Sequence, residues 1–153
     1  MGLFLSTTIN RIDRKGRVSV PGPFRAVLGE QPFAGVILMK SPIHAALEGF
    51  APLMMEDIAS RLDAYPMFSM DQDDLAAATL AEAMPLHFDT EGRIVLSAEL
   101  VAHAGFDEEV AFVGLGRKFQ MWSPAAWKKR REVAQKSVKT KGLVLPARNG
   151  GEA

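Results

Sequence analysis

The chain has 153 residues, 48% hydrophobic and 24% charged, with 18 basic and 18 acidic side chains and no net charge. Such a length suits one compact domain or two small ones on a shared core, and the apolar fraction excludes wholesale disorder. The absence of cysteine excludes a disulfide framework, a thiolate metal site and a cysteine nucleophile, and no apolar stretch approaches the roughly 20 residues of a membrane span.

The zero balance hides a segregation. Residues 1–40 carry +4, residues 41–116 carry −12 and residues 117–153 carry +8. Separated charges set up local fields of both signs, so an even total does not speak against a nucleic-acid partner.

In chain order, Leu3–Leu5 begins the first strand and the β-branched stretch at 7–12 continues it. Asp13-Arg14-Lys15-Gly16 makes a turn, with Asp13 bonding its own backbone and Gly16 free to take a positive φ. Val18 and Val20 alternate with polar residues after it, which completes a β-hairpin signal. Pro21 or Pro23 opens a short helix with Phe24, Val27 and Leu28 on one face, and Gly29 stops it. A strand at 35–39 leads to Ser41-Pro42, read as an N-cap and first helical position. Helical patterns at 54–62 and 74–84 flank a breaker segment at 66–73. A second turn, Asp89-Thr90-Glu91-Gly92, precedes Ile94 and Leu96, and Ser97 caps a helix with Leu100, Val101 and Ala104 before Gly105. A strand at 110–115 leads to Ser123-Pro124, which opens a C-terminal helix containing Trp127 and Lys128-Lys129-Arg130-Arg131. From about Lys136 the chain turns basic and then glycine-rich, and its last dozen residues read as a disordered tail.

Two of these stretches are copies. Residues 13–29 (DRKGRVSVPGPFRAVLG) and 89–105 (DTEGRIVLSAELVAHAG) lie 76 positions apart and agree at five of seventeen. The shared residues are Asp13/Asp89, Gly16/Gly92, Arg17/Arg93, Ala26/Ala102 and Gly29/Gly105, with apolar pairs at Val18/Ile94, Val20/Leu96 and Phe24/Leu100. Both copies then run into an apolar strand and a Ser-Pro step. The chain divides into a first repeat at 7–54, inter-repeat helices at 55–82, a second repeat at 83–126 and a basic helix with tail at 127–153.

The stretch Asp13-Arg14-Lys15-Gly16-Arg17-Val18-Ser19-Val20-Pro21 with Phe24-Arg25 resembles the first signature of the bacterial MraZ proteins, and Asp89-Thr90-Glu91-Gly92-Arg93 resembles the second. The resemblance covers nearly the whole chain. It implies an α+β fold of two SpoVT-AbrB-like hairpin and helix repeats, fused into one swapped-hairpin barrel and flanked by helices. It implies a cytoplasmic, nucleoid-associated transcriptional regulator that forms ring-like homo-oligomers on direct repeats in double-stranded promoter DNA. Repression of the division and cell-wall operon containing its own gene is implied with it. The family assigns the basic loop of the first signature to DNA, which here places Lys15 and Arg17 on DNA with Arg14 beside them. Two departures stand out: Ser97 replaces a proline common in the second signature, and the helix before that signature reads Asp73-Asp74-Leu75-Ala76-Ala77-Ala78 where relatives often carry arginines.

Matched positions give a test independent of the family. Arg11, Arg14, Lys15, Arg17 and Arg25 correspond to His87, Thr90, Glu91, Arg93 and Val101. A shared scaffold accounts only for Arg17/Arg93, which read alternatively as hairpin-bracing partners of Asp13/Asp89. Arg11, Arg14, Lys15, Arg17 and Arg25 are therefore the candidate DNA contacts, with Asp13, Gly16, Asp89 and Gly92 forming the turns. Arg14 or Lys15 is expected to read a base, and the others phosphate. About four phosphate contacts per protomer give a salt slope near −4, so tight binding needs several loops presented together. Lys128–Arg131 reads as a solvated helix end whose cations suit the dipole.

Scattered His44, His87 and His103 show no metal or triad spacing, and no Walker or dinucleotide loop is present, so neither enzyme chemistry nor a cofactor, metal or small-molecule ligand is expected. A protein of another class remains open: an antidote-like or scaffold module whose basic loop binds an acidic protein partner.

Overall fold

The computed structural model describes residues 2–29 and 33–148. It contains β1 (Thr7–Arg11), β2 (Arg17–Ser19), α1 (Gly22–Leu28), β3 (Gly35–Lys40), β4 (Leu47–Phe50), α2 (Pro52–Leu62) and α3 (Met70–Ala78). A short 3-10 turn (Leu80–Glu82) precedes β5 (Met84–His87), β6 (Arg93–Val95), α4 (Ala98–Ala104), β7 (Glu109–Gly114), β8 (Phe119–Trp122) and α5 (Pro124–Lys141). The class is the expected mixture of helices with antiparallel strands.

Each turn folds back on itself only at its mouth. Asp13 N–H donates to Arg17 O, Ile12 bridges Val18, and beyond that the two strands part. β1 pairs with β7 of the other repeat, β5 pairs with β3, and β2 pairs with β6. The hairpin read from local sequence is therefore a loop whose strands are completed by the opposite copy. The pairing resolves into a six-stranded sheet, ordered β1-β7-β8-β4-β3-β5, and a two-stranded ribbon, β2-β6; no ladder joins β1 to β5 among the described residues.

The register reveals a pseudo-two-fold axis. In the ribbon Val18 lies opposite its own counterpart Ile94, and in the sheet Glu48 lies opposite Gln120. Equivalent positions are thus 76 residues apart at the ribbon and 72 apart at β4 and β8. That shorter offset corrects the Ser-Pro correspondence. Ser123-Pro124 matches Ala51-Pro52, which opens α2, whereas Ser41-Pro42 starts no helix. Ser41 Oγ instead accepts from the backbone N–H groups of Ile43 and His44, closing the loop between β3 and β4. The chain must return at once because β4 is sandwiched between β3 and β8.

Three further expectations shift. Among residues 3–5 only Phe4 pairs, through a bridge to Gly116, and β1 starts at Thr7 after Ser6 with φ 70°. The helix expected at 74–84 begins at Met70, because Ser69 Oγ accepts from Gln72 N–H. It ends before β5, which takes Met84. Ser69 is thus an N-cap inside the supposed breaker, while the Gln72 side chain donates to Leu62 O. The C-terminal helix continues through Lys141 to Gly142, whose φ of 62° ends it. Lys136, Lys139 and Lys141 are therefore helical, and Lys128–Arg131 sit in its N-terminal half, where a dipole argument for cations fails. The glycine-rich end of the expected tail, 149–153, lies outside the described residues.

The alternation of β7 sorts two cores. Val110 and Phe112 point to the main core, with Val18, Ile94, Phe24, Leu28, Leu38 and Leu100. Phe4, Phe24, Phe112 and Phe119 form an aromatic cluster there, with centroids 5.1 to 6.2 Å apart. Ala111 and Val113 face the other side, where Trp122, Ala126 and Trp127 dock the first turns of α5. On the axis the buried Glu48 carboxylate accepts from Lys118 Nζ at 2.8 Å and Gln120 Nε2 at 3.0 Å, and Gln120 in turn accepts from Trp122 Nε1 at 2.9 Å. A buried carboxylate survives only when its oxygens are met in this way. No helix among the described residues is long and apolar enough to cross a membrane.

The two turn glycines differ in what they face. Gly16 has φ 83°, and a Cβ there would lie 2.3 Å from Leu96 O, a backbone atom at the end of the ribbon. Gly92 has φ 75°, but the nearest atoms its Cβ would meet belong to the Arg25 side chain, at 2.8 Å, which can move away. Gly16→Ala is expected to cost about 3 kcal/mol or more and Gly92→Ala about 1–2 kcal/mol in urea unfolding. Equal costs would contradict this placement.

Candidate nucleic-acid interface

Both turns are built by the same bonds. Asp13 Oδ1 accepts from the N–H groups of Lys15 and Arg17, each at 2.9 Å, and Gly16 N–H reaches Asp13 O at 3.0 Å. Arg17 Nε donates to Asp13 Oδ2 at 2.6 Å. In the second copy Asp89 Oδ1 accepts from Glu91 and Arg93 at 2.8 and 2.9 Å, Gly92 N–H reaches Asp89 O at 3.1 Å, and Arg93 Nε donates to Asp89 Oδ2 at 2.8 Å. Asp, Gly and Arg are consequently loop-building residues in both repeats. Bracing is thus one role of Arg17, as the alternative reading held.

The two middle residues are left over. Arg14 and Lys15 are exposed, and neither side chain has a partner among the described residues. Thr90 and Glu91 occupy the same positions in the second loop, and Glu91 accepts from Arg93 Nη2 at 3.1 Å. That contact occupies the terminal guanidinium of Arg93. Arg17 has no such neighbour, so its terminal nitrogens stay available among the described residues.

Crossing of the strands decides where the other candidates fall. Leu96 N–H donates to Gly16 O, which sets the start of α4 beside the first loop, while Val20 N–H donates to Gly92 O, which sets α1 beside the second. Arg25, on α1, donates through Nε to Val20 O at 3.0 Å and lies over Gly92. It stands at the opposite end of the ribbon from Arg14 and Lys15. Arg11 does join the first loop, where Arg11, Arg14, Arg17 and Arg93 line an open groove of about 650 Å³. Lys15 faces the other flank, toward Ala98, Val101 and Ala102 of α4. Asp13, Asp107 and Glu108 line the same groove, and Arg11 meets Glu108 at 3.4 Å in an exposed, weak pair. Positive field therefore concentrates at the loop tip. Arg93 was missed as a neighbour of this loop; the signal for it is the cross-copy register that sets Ser19 opposite Arg93. No cluster of histidine and carboxylate suited to a metal ion occurs among the described residues.

The loop carboxylates titrate accordingly. The backbone N–H of Arg17 holds the Asp13 carboxyl below its ordinary 3.8, helped by the Arg17 side chain, and Arg93 does the same for Asp89. A carboxyl depressed in the folded state contributes stability above its unfolded pKa and loses it as the pH falls. The loss sets in below about pH 4 and continues through the lowered folded values. Asp13→Asn with Asp89→Asn removes the charges and keeps one oxygen for the loop N–H groups, but loses the second oxygen that accepts from the arginine Nε. Urea unfolding of that double variant is expected to depend less on pH over this acid range than the parent. An unchanged dependence would show that other groups govern it.

Comparison with known proteins identifies the family. Residues 79–142 match the family model described as "MraZ protein, putative antitoxin-like". The "Transcriptional regulator MraZ" of Gluconobacter oxydans is 46% identical over 143 residues, covering 92% of this chain and 87% of that protein. The protein of the same name from Gluconacetobacter diazotrophicus is 44% identical and covers 99% of this chain and 98% of its own length. That of Rickettsia bellii is 39% identical, covering 95% and 97%. These relatives are named as regulators and not as enzymes. The chain belongs to the MraZ family.

Proposed function

We propose that this protein is a DNA-binding transcriptional regulator whose first-repeat loop meets double-stranded promoter DNA. One observation carries the reading: two loops with the same internal bonding differ at their tips, Arg14-Lys15 against Thr90-Glu91. Scaffold needs are met identically in both, so the two extra cations serve something outside the fold. Phosphate neutralisation is the dominant sequence-independent term in DNA affinity, and exposed, unpaired Arg and Lys supply it. Arginine also suits a guanine edge, through paired bonds to O6 and N7. Arg14, Lys15 and Arg17 form the contact set, with Arg11 on the flank. Arg25 joins it only if DNA spans both ends of the ribbon.

A single protomer offers few contacts and no excess charge. Ring-like assembly on direct promoter repeats would multiply the loop through effective concentration. Repression of the division and cell-wall operon, its own gene included, in the cytoplasm at the nucleoid, follows from the family resemblance noted above.

A second reading draws on the antitoxin-like wording of the matching family. In it the same basic loop binds an acidic protein instead. Gel shifts on the upstream region of the protein's own gene separate the two. Arg14→Ala with Lys15→Ala is expected to weaken binding at least about ten-fold and to flatten the log–log salt slope by about 2 per engaged protomer. Thr90→Ala with Glu91→Ala should leave both unchanged. Wild-type affinity in the first variant, or no sequence-specific binding by the native protein, overturns the proposal.

A further inference from the structure

We infer that α5 of one protomer docks on the α2–α3 elbow of a second copy of this chain. This rests on the homo-oligomer proposed above and names the surfaces that would build it. Among the described residues, the apolar packing of α5 on the smaller core runs through Ala126 and Trp127 in its first turn. None of its 18 residues is fully buried, and its seven cations form no ion pair among the described residues. Val133 is 58% exposed, and beyond the helix Val144 and Leu145 are 87% and 93% exposed. A helix with so little packing is marginal in water, because most helical stability comes from burying one face. Something must cover it.

The elbow has the opposite chemistry. Residues 52–82 hold seven acids and one base, net −6, while α5 holds seven bases and one acid, net +6. α3 buries none of its residues, and Asp71, Asp73 and Asp74 lie exposed along it. Beside them Met67, Phe68 and Met70 are 79%, 92% and 69% exposed. Phe68 also has φ 67°, a left-handed conformation that is strained for a bulky aromatic residue. Backbone strain that turns an aromatic ring outward commonly marks a binding position. An apolar centre ringed by acids therefore matches an apolar end flanked by cations, the usual anatomy of a specific interface. Within one chain no ion pair joins the two surfaces among the described residues, so a second copy supplies the match. Each protomer then offers one surface of each kind, which is what head-to-tail assembly requires.

The test is sedimentation mass at moderate salt for the full chain and four variants. Lys136→Glu/Lys139→Glu/Lys141→Glu and Asp71→Lys/Asp73→Lys/Asp74→Lys are each expected to lower the mass. A chain carrying both sets should recover it, which no folding defect would produce. Phe68→Gly relieves the positive φ, and it should raise the concentration for half-assembly about ten-fold or more. A monomeric native protein refutes the homo-oligomer itself. A native oligomer whose mass survives both charge sets refutes this docking alone. Retained mass with weakened promoter binding in the lysine variant would assign α5 to DNA, and an unrestored combined chain would also overturn the docking.

Discussion

The structure depends on one pairing, that of β2 with β6 across the pseudo-two-fold axis. Val18 and Ile94 meet there, both buried, and each strand is only three residues long. So short a ribbon could not stand alone. It is held because its two ends are tied by Leu96 N–H to Gly16 O and Val20 N–H to Gly92 O. Those ties bring each loop glycine onto the other repeat's backbone. They also set α1 and α4 over opposite loops, which feeds Phe24, Leu28 and Leu100 into one core. Neither repeat can bury its apolar face without the other, so duplication within the chain makes a single cooperative unit.

That arrangement explains why one loop is free to take on a task. Stability asks the same three things of both loops: an aspartate to gather backbone N–H groups, a glycine at positive φ and an arginine to brace the acid. It asks nothing of the two residues between. In the second loop these became Thr90 and Glu91, and the glutamate turned inward onto Arg93. In the first they are Arg14 and Lys15, whose side chains form no hydrogen bond or ion pair among the described residues. Function is legible as the part of a repeat that symmetry does not require.

Much of this could be read from the residues themselves. Asp-x-x-Gly-Arg twice, with apolar alternation after each, located both loops, and Ser97 and Gly105 bounded α4 where expected. Pairing partners were not legible, because hydrophobic alternation says which face is buried and not which strand lies alongside. Arg25 was grouped with the first loop for that reason, although the strand exchange carries it to Gly92. Arg93 was overlooked beside the first loop for the same reason. Ser41-Pro42 misled because a Ser-Pro step caps a helix only if the following residues are free to coil, and here β4 claims them. The net charge of zero was equally uninformative until each charge had a place.

Hydrogen exchange of the assembled protein, with and without duplex DNA from upstream of its own gene, tests the central claim most directly. The two loops share one bonding pattern, so each serves as the other's control. Protection on binding is expected at residues 13–17 and not at 89–93. Equal protection of both loops, or protection confined to the second loop or to α5, would contradict the account.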